Sequence, residues 1–390
     1  MPPSRTAFWS VALIVLAALN LRPAVTTVGP LLTAIQADLD LSGAAAGALT
    51  TLPVLCFGAV GLAAPALRGR IREEPLLAAS MGLLAAGLLL RAGPAPATLF
   101  AGSLVVGLAI GIGNVAMPAL IKRDHPASIT LVTSLYSTAL TVGAAVSAAV
   151  MVPIDQAVAG GWRVPLALPA LAAGAALLCW LPRTRRRGGP DGGPAPAGPA
   201  PGLWRDRLAW QVSAFMGLQS LLAYVVFGWL PTLAQDRGMS EADAGLLLAV
   251  TSIVQAVGSL LVPLADRRLP DQRAQVAVVA ALTFAGFCGL VWAPLGLVWA
   301  VAVVLGLGQG AVFALALSFL GLRAGTPAIA ARLSAMAQGT GYLIAAAGPF
   351  VVGLLYDLTG GWNVPILFVL AVVVAHLFPG LAAARDRTIG

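Results

Sequence analysis

The chain has 390 residues, 59% of them hydrophobic and only 10% charged, with a formal net charge of +8. A water-soluble globular domain carries roughly 25% charged residues, so this composition excludes an ordinary soluble fold and fits an all-α integral membrane protein. The positive charge does not point to nucleic acid, because Arg and Lys are scattered through short segments between apolar runs, where membrane topology accounts for them.

Twelve apolar runs are long enough to cross a bilayer, over 8–35, 44–67, 75–93, 97–120, 129–153, 163–181, 208–235, 243–265, 275–293, 295–320, 332–356 and 362–380. The first is longer than the core of a secretory signal and lacks a convincing cleavage site, so it is read as a membrane span. Its middle holds Asn20-Leu21-Arg22-Pro23 and Thr26. Arg22 lies ~22 Å along the helix at ~1.5 Å per residue, past the middle of a ~30 Å hydrocarbon layer. A guanidinium keeps its charge there and needs a polar interior, a water-filled cavity or an anion. The structural alternative is an arginine held by neighbouring carbonyls or snorkelling to an interface. Pro23 removes a backbone donor, which predicts a kink beside Arg22.

Arg68 and Arg70 follow span two, and Asp266, Arg267 and Arg268 follow span eight on the same side. They satisfy the topology rule, and they equally suit charge pairs that hold one face of a rocking carrier shut, a gating role. Between spans six and seven, eleven of the fifteen residues 188–202 are Gly or Pro. Such a composition builds no core and reads as a flexible linker, 183–207, between halves 1–182 and 208–390. The halves resemble each other. Gly160-Gly161-Trp162-Arg163-Val164-Pro165 opens span six, and Gly360-Gly361-Trp362-Asn363-Val364-Pro365 opens span twelve. Gly47, Leu49, Pro65 and Arg70 recur as Gly245, Leu247, Pro263 and Arg268, and Gly107 and Gly111 recur as Gly306 and Gly310. This is the parallel repeat of a transporter with a central site between two halves. An even number of spans puts both termini on one side. Apart from the intramembrane Arg22, the far side carries only Arg91, Arg163 and Arg237 of the 23 basic residues, which places the termini in the cytoplasm.

Every Asp and Glu falls in a loop or near the end of a span, so the core holds one fixed positive charge and no fixed negative one. The simplest partner for Arg22 is a substrate with negative charge or a strongly polar acceptor such as a nitro group. Uncharged polar residues at central depth supply the rest of a binding site: Asn20, Thr26, Asn114 and Tyr136 from the first half, and Gln219, Tyr224, Gln255, Gln309, Gln338 and Tyr342 from the second. Each is also a candidate for ordinary interhelical hydrogen bonding. Trp229 suits an interface belt or a gate, and His125 and His376 suit structural positions. Cys56, Cys179 and Cys288 are scattered in apolar runs and odd in number, so no disulfide framework or metal site is expected. No nucleophile–base cluster appears, so neither a catalytic role nor a cofactor is expected.

Twelve spans, a six-plus-six repeat, a central linker and basic loops after spans two and eight resemble the major facilitator superfamily. The acid that usually precedes the basic pair after span two is missing, while Asp266-Arg267-Arg268 keeps it after span eight. Within the superfamily the chain resembles the cyanate and 2-nitroimidazole transporter family, on Asn20-Leu21-Arg22-Pro23 with Val28-Gly29-Pro30-Leu31-Leu32, Leu49-Thr50-Thr51-Leu52-Pro53-Val54, Met117-Pro118-Ala119-Leu120-Ile121-Lys122-Arg123, Trp229-Leu230-Pro231, Gly306-Leu307-Gly308-Gln309-Gly310, and Ala337-Gln338-Gly339 with Gly341-Tyr342. The resemblance implies two six-helix bundles that work by alternating access in the cell membrane, with a small-molecule substrate, the lipid bilayer as surroundings and a monomeric chain. The Gly-Pro motif of many exporters is absent from span five, where Val142-Gly143-Ala144-Ala145 stands, although span eleven has Gly348-Pro349. The expected function is secondary transport of a small anionic or polar nitrogen compound. The alternatives are an exporter of neutral or drug-like compounds with a structural Arg22 and, in a different class, a receptor on a transporter fold.

Overall fold

The structure, a computed structural model, describes residues 5–67, 72–158, 161–184, 202–265 and 271–389. The proposed gating residues Arg68, Arg70, Asp266, Arg267 and Arg268, and most of the linker, lie outside the described residues. Span one is built from α1 (Arg5–Leu21), α2 (Pro23–Thr26) and α3 (Val28–Leu39). The first half continues with α4 (Gly43–Leu67), α5 (Glu73–Arg91), α6 (Pro96–Asp124), α7 (Ile129–Ala157) and a sixth span broken into α8 (Arg163–Ala167) and α9 (Pro169–Thr184). The second half has α10 (Arg207–Asp236), α11 (Glu241–Ala265), α12 (Gln272–Trp292), α13 (Val298–Leu322), α14 (Pro327–Thr359) and α15 (Asn363–Ala383). Twelve spans are long and apolar enough to cross a membrane. Among the described residues the only β pairing is an isolated bridge between Ala324 and Ile389.

Prolines set the break in span one. Pro23 has no N–H to offer the Leu19 carbonyl, and Pro30 has none for Thr26. The backbone at Arg22 keeps helical angles, φ −76° and ψ −41°, so the hydrogen-bond ladder breaks while the chain stays coiled. Gly143 of α7 fits against this break. A Cβ there would lie 2.8 Å from the Leu19 carbonyl oxygen and 3.2 Å from the Pro23 ring, so only a glycine lets α7 approach so closely.

The two bundles meet along α4 with α14 and α7 with α11, and the later part of span one, α2 and α3, packs on α10. Gly29 of α3 abuts the Phe227 carbonyl, and Gly47 of α4 would place a Cβ 2.5 Å from the Pro349 carbonyl. On the face away from the termini, the Asp357 carboxylate at the end of α14 accepts hydrogen bonds from the Gly43 and Ala44 N–H groups at 2.6 and 2.7 Å. It caps the N-terminus of α4 across the bundle interface, where a helix end favours negative charge. On this face the bundles touch directly, with Gly43 against Asp357 and Gly353.

The sequence repeat is also a structural one. The Trp162 indole donates to Asp38 at 3.2 Å and the Trp362 indole to Asp236 at 2.8 Å, each tying the start of the last span of its half to the end of the first. On the terminal face the first bundle is held by an ion-pair network. Arg123 bonds Glu73, Glu74 and Asp124 at 2.6–2.8 Å, and Arg72 adds Glu74 at 3.3 Å.

One charge is not where the sequence placed it. Arg91, counted with the segments on the far side, is fully buried. It ends α5, and its side chain turns inward. Nη1 donates to the Ala24 carbonyl at 2.7 Å and Nε to the Ser103 hydroxyl at 3.1 Å. A run that ends in arginine gives no sign of which way that long side chain turns. Here the Ala24 carbonyl, beside the broken ladder of span one, accepts from it.

Candidate functional site at the centre of the bundles

Arg22 is half-buried although it stands at the break in span one, deep in the apolar run. Among the described residues no carboxylate pairs with it. Its guanidinium lies over the Phe227 ring, 5.7 Å from the centroid, and Tyr224 lies close to the same charge. Tyr136 and Tyr342 lie within electrostatic range of the same charge. These tyrosines come from α7, α10 and α14, so residues of both bundles converge on the arginine. The Tyr136 hydroxyl also points to Asn114 Oδ1 of α6 at 3.5 Å, a long contact.

The remaining sequence candidates fall into two groups. Thr26 is fully buried and its hydroxyl sits 2.7 Å from that of Ser147, which ties span one to α7. Asn20 donates its amide to the Leu16 carbonyl one turn back at 2.8 Å. Gln219 donates to the Ser220 hydroxyl and Gln338 to the Ser334 hydroxyl, both at 2.8 Å. These side chains are engaged on their own helices or between helices. Gln255 and Gln309 form the second group, because each has an amide nitrogen without a partner among the described residues. They sit on α11 and α13, whose backbones touch where Gly310 meets the Gln255 carbonyl.

Two residues of the cluster carried no signal in the sequence, Phe57 and Phe227. Phe57 of α4 packs at 6.1 Å from Tyr224 and 5.8 Å from Tyr342, and Tyr224 packs at 6.1 Å from Phe227. An apolar ring in an apolar run stands out only once its neighbours are known. A separate pocket among Val225, Trp229, Phe287, Val352, Trp362 and Ile366 is almost wholly apolar. The indoles of Trp229 and Trp362 are already spent on the Pro349 carbonyl and Asp236. It offers nothing to orient a polar molecule, so Arg22 marks the candidate site.

Among the described residues no group of His, Cys, Asp and Glu has the makings of a metal site. The described carboxylates lie at helix ends, as Glu73 and Glu74 do at the start of α5 and Asp236 at the end of α10.

The Major Facilitator Superfamily profile matches residues 8–349. The chain is 40% identical to the 2-nitroimidazole transporter of Escherichia coli (strain K12), over 97% of this chain and 96% of that protein. It is 34% identical to the cyanate transport protein CynX of the same organism, over 96% and 97%. It is 37% identical to the uncharacterized transporter YycB of Bacillus subtilis (strain 168), over 98% and 95%. Among solved structures it shares its fold with a D-xylose–proton symporter, with a TM-score of 0.78, 14% identity and coverage of 98% and 99%. A bacterial homologue of the lysosomal transporter Spinster, in an inward-facing and occupied conformation, gives a TM-score of 0.74 at 15% identity, over 98% and 95%. The chain is a multi-pass membrane transporter rather than an enzyme, and it belongs to the major facilitator superfamily, in the family that includes the 2-nitroimidazole and cyanate transporters.

Proposed function

We propose that this protein moves a small anionic or strongly polar nitrogen compound, cyanate-like or nitroimidazole-like, across the cell membrane by alternating access. Arg22 holds the substrate between the bundles 1–182 and 208–390, and both termini face the cytoplasm. The observation that carries this reading is the state of Arg22: a charged group at mid-depth, half-open, near Tyr136 of the first bundle and Tyr224 and Tyr342 of the second, and paired with no carboxylate among the described residues. A planar fork of donors suits two acceptor atoms of one substrate. The 2-nitroimidazole and cyanate transporters, matched over nearly their whole length, support the same substrate range. Asp357 on the N-terminus of α4 is the contact to be released when the bundles part on the face away from the termini.

The test is uptake and efflux in proteoliposomes with a panel of small anions and nitroimidazoles, run beside Arg22→Gln. Wild-type transport that persists unchanged in the variant rules out the substrate role of Arg22. Orientation is read separately. A cysteine at Gly192, in a background lacking Cys56, Cys179 and Cys288, reacts with an impermeant thiol reagent only from inside. Labelling from outside sealed cells overturns the topology.

A further inference from the structure

The rings around Arg22 do something the arginine alone does not require. Phe57 belongs to the first bundle and its two ring partners, Tyr224 and Tyr342, to the second. These two tyrosines also face each other, with centroids 6.3 Å apart. The two Phe57 contacts therefore cross the plane along which the bundles separate. When the bundles rock, Phe57 parts from both tyrosines, and its ring face and the tyrosine faces turned toward it are left without that contact. The Arg22 guanidinium carbon lies 5.7 Å from the Phe227 centroid, so the cation stands beside this aromatic group.

Two kinds of polar nitrogen compound use this arrangement differently. A linear triatomic anion engages the donors of Arg22 and gains nothing from the rings. A planar conjugated ring bearing a nitro or carboxylate group engages both, its oxygens on the fork and its π surface against rings that would otherwise lose their contact. Aromatic pairs favour such offset and edge-to-face placements at ~4.5–7 Å between centroids. Resting on the assignment of Arg22 to the substrate, we propose that Phe57, Phe227 and Tyr342 make this a site for planar aromatic or heteroaromatic molecules carrying an oxyanion or nitro group, and that Phe57 sets the preference over small linear anions.

The experiment is isothermal calorimetry on purified protein with 2-nitroimidazole and benzoate as ring probes and cyanate and nitrate as ringless ones. Wild type is expected to bind the ring probes more tightly than the ringless ones. Phe57→Leu, which keeps an apolar side chain of similar bulk, is expected to weaken the ring probes about 2- to 10-fold and to leave the ringless ones unchanged. Phe57→Tyr restores most of the preference. Cyanate bound as tightly as the ring probes by wild type, ring probes that do not bind folded wild type, or equal weakening of both classes by Phe57→Leu overturns the proposal. The underlying reading fails differently: Arg22→Gln then leaves every probe at wild-type affinity, whatever Phe57 does.

Discussion

Two arginines sit inside the first bundle, and they are opposites. Arg91 has no exposure at all and directs two of its nitrogens to the Ala24 carbonyl and the Ser103 hydroxyl. Arg22, two residues before Ala24, is half-open and lies over the Phe227 ring near Tyr224, with no backbone carbonyl bonded to its guanidinium among the described residues. Depth in the sequence does not separate a binding arginine from a structural one. What separates them is whether the protein itself has used up the donors. Arg91 braces the broken stretch of span one, and Arg22 is presented by it.

The largest expected effect lies at Arg22. A charge-assisted hydrogen bond contributes ~1.5–3 kcal/mol net, which is on the order of tenfold to a hundredfold in affinity. Arg22→Gln should lose that much, and Arg22→Lys should lose part of it, because an ammonium keeps the charge without the planar fork. Thermal stability of the empty protein should change little. Calorimetric binding set beside a melting curve decides the matter: a large drop in stability with unchanged affinity would make Arg22 a second Arg91.

At Arg91 the expectation reverses. Arg91→Met removes two hydrogen bonds from a charged donor but also relieves a buried cation that has no carboxylate among the described residues, and its Nη2 has no partner. The two effects oppose each other, so a net destabilisation of ~1–3 kcal/mol is expected. It should appear as a lower melting temperature, with affinity in the folded protein falling much less than in Arg22→Gln. A tenfold loss of affinity at unchanged stability would erase the contrast between the two residues.

Thr26 tests the brace from its other side. Its hydroxyl bonds Ser147 on α7 and is fully buried, so Thr26→Val should cost stability by about 0.6 kcal/mol, the average for such interhelical bonds, and at most ~1.7. Binding should barely change. A Thr26→Val variant with normal stability and weakened binding would move Thr26 from the scaffold to the site.

Much of this was legible in the sequence, and the reasons are physical. Apolar runs long enough to span a bilayer must be helices, because lipid offers backbone groups no partner. Pro23 announced the break at Arg22, and the Gly-Gly-Trp pairs announced a repeat that the structure shows as Trp162 on Asp38 and Trp362 on Asp236. What stayed hidden was direction. Nothing in the chain tells that Arg91 folds inward, or that Asn20 and Gln338 spend a donor on their own helix. Phe57 and Phe227 were invisible for a different reason: the polar residues of a membrane protein stand out against an apolar background, and the rings that shape a site do not.

The sharpest test of how the presented side differs from the braced one is at Asn20. It lies two residues before Arg22 in the same broken span. Its Nδ2 must donate to the Leu16 carbonyl, which fixes the orientation of the amide and leaves Oδ1 without a donor among the described residues. A substrate with a ring N–H can supply that donor, and cyanate has none. Asn20→Ala should therefore weaken 2-nitroimidazole by about one neutral hydrogen bond, ~0.5–1.5 kcal/mol or roughly 2- to 10-fold, and leave cyanate where it was. Loss of both ligands to the same degree would mean that Asn20 acts on the helix that carries Arg22, as Arg91 does, and has no contact of its own with the substrate.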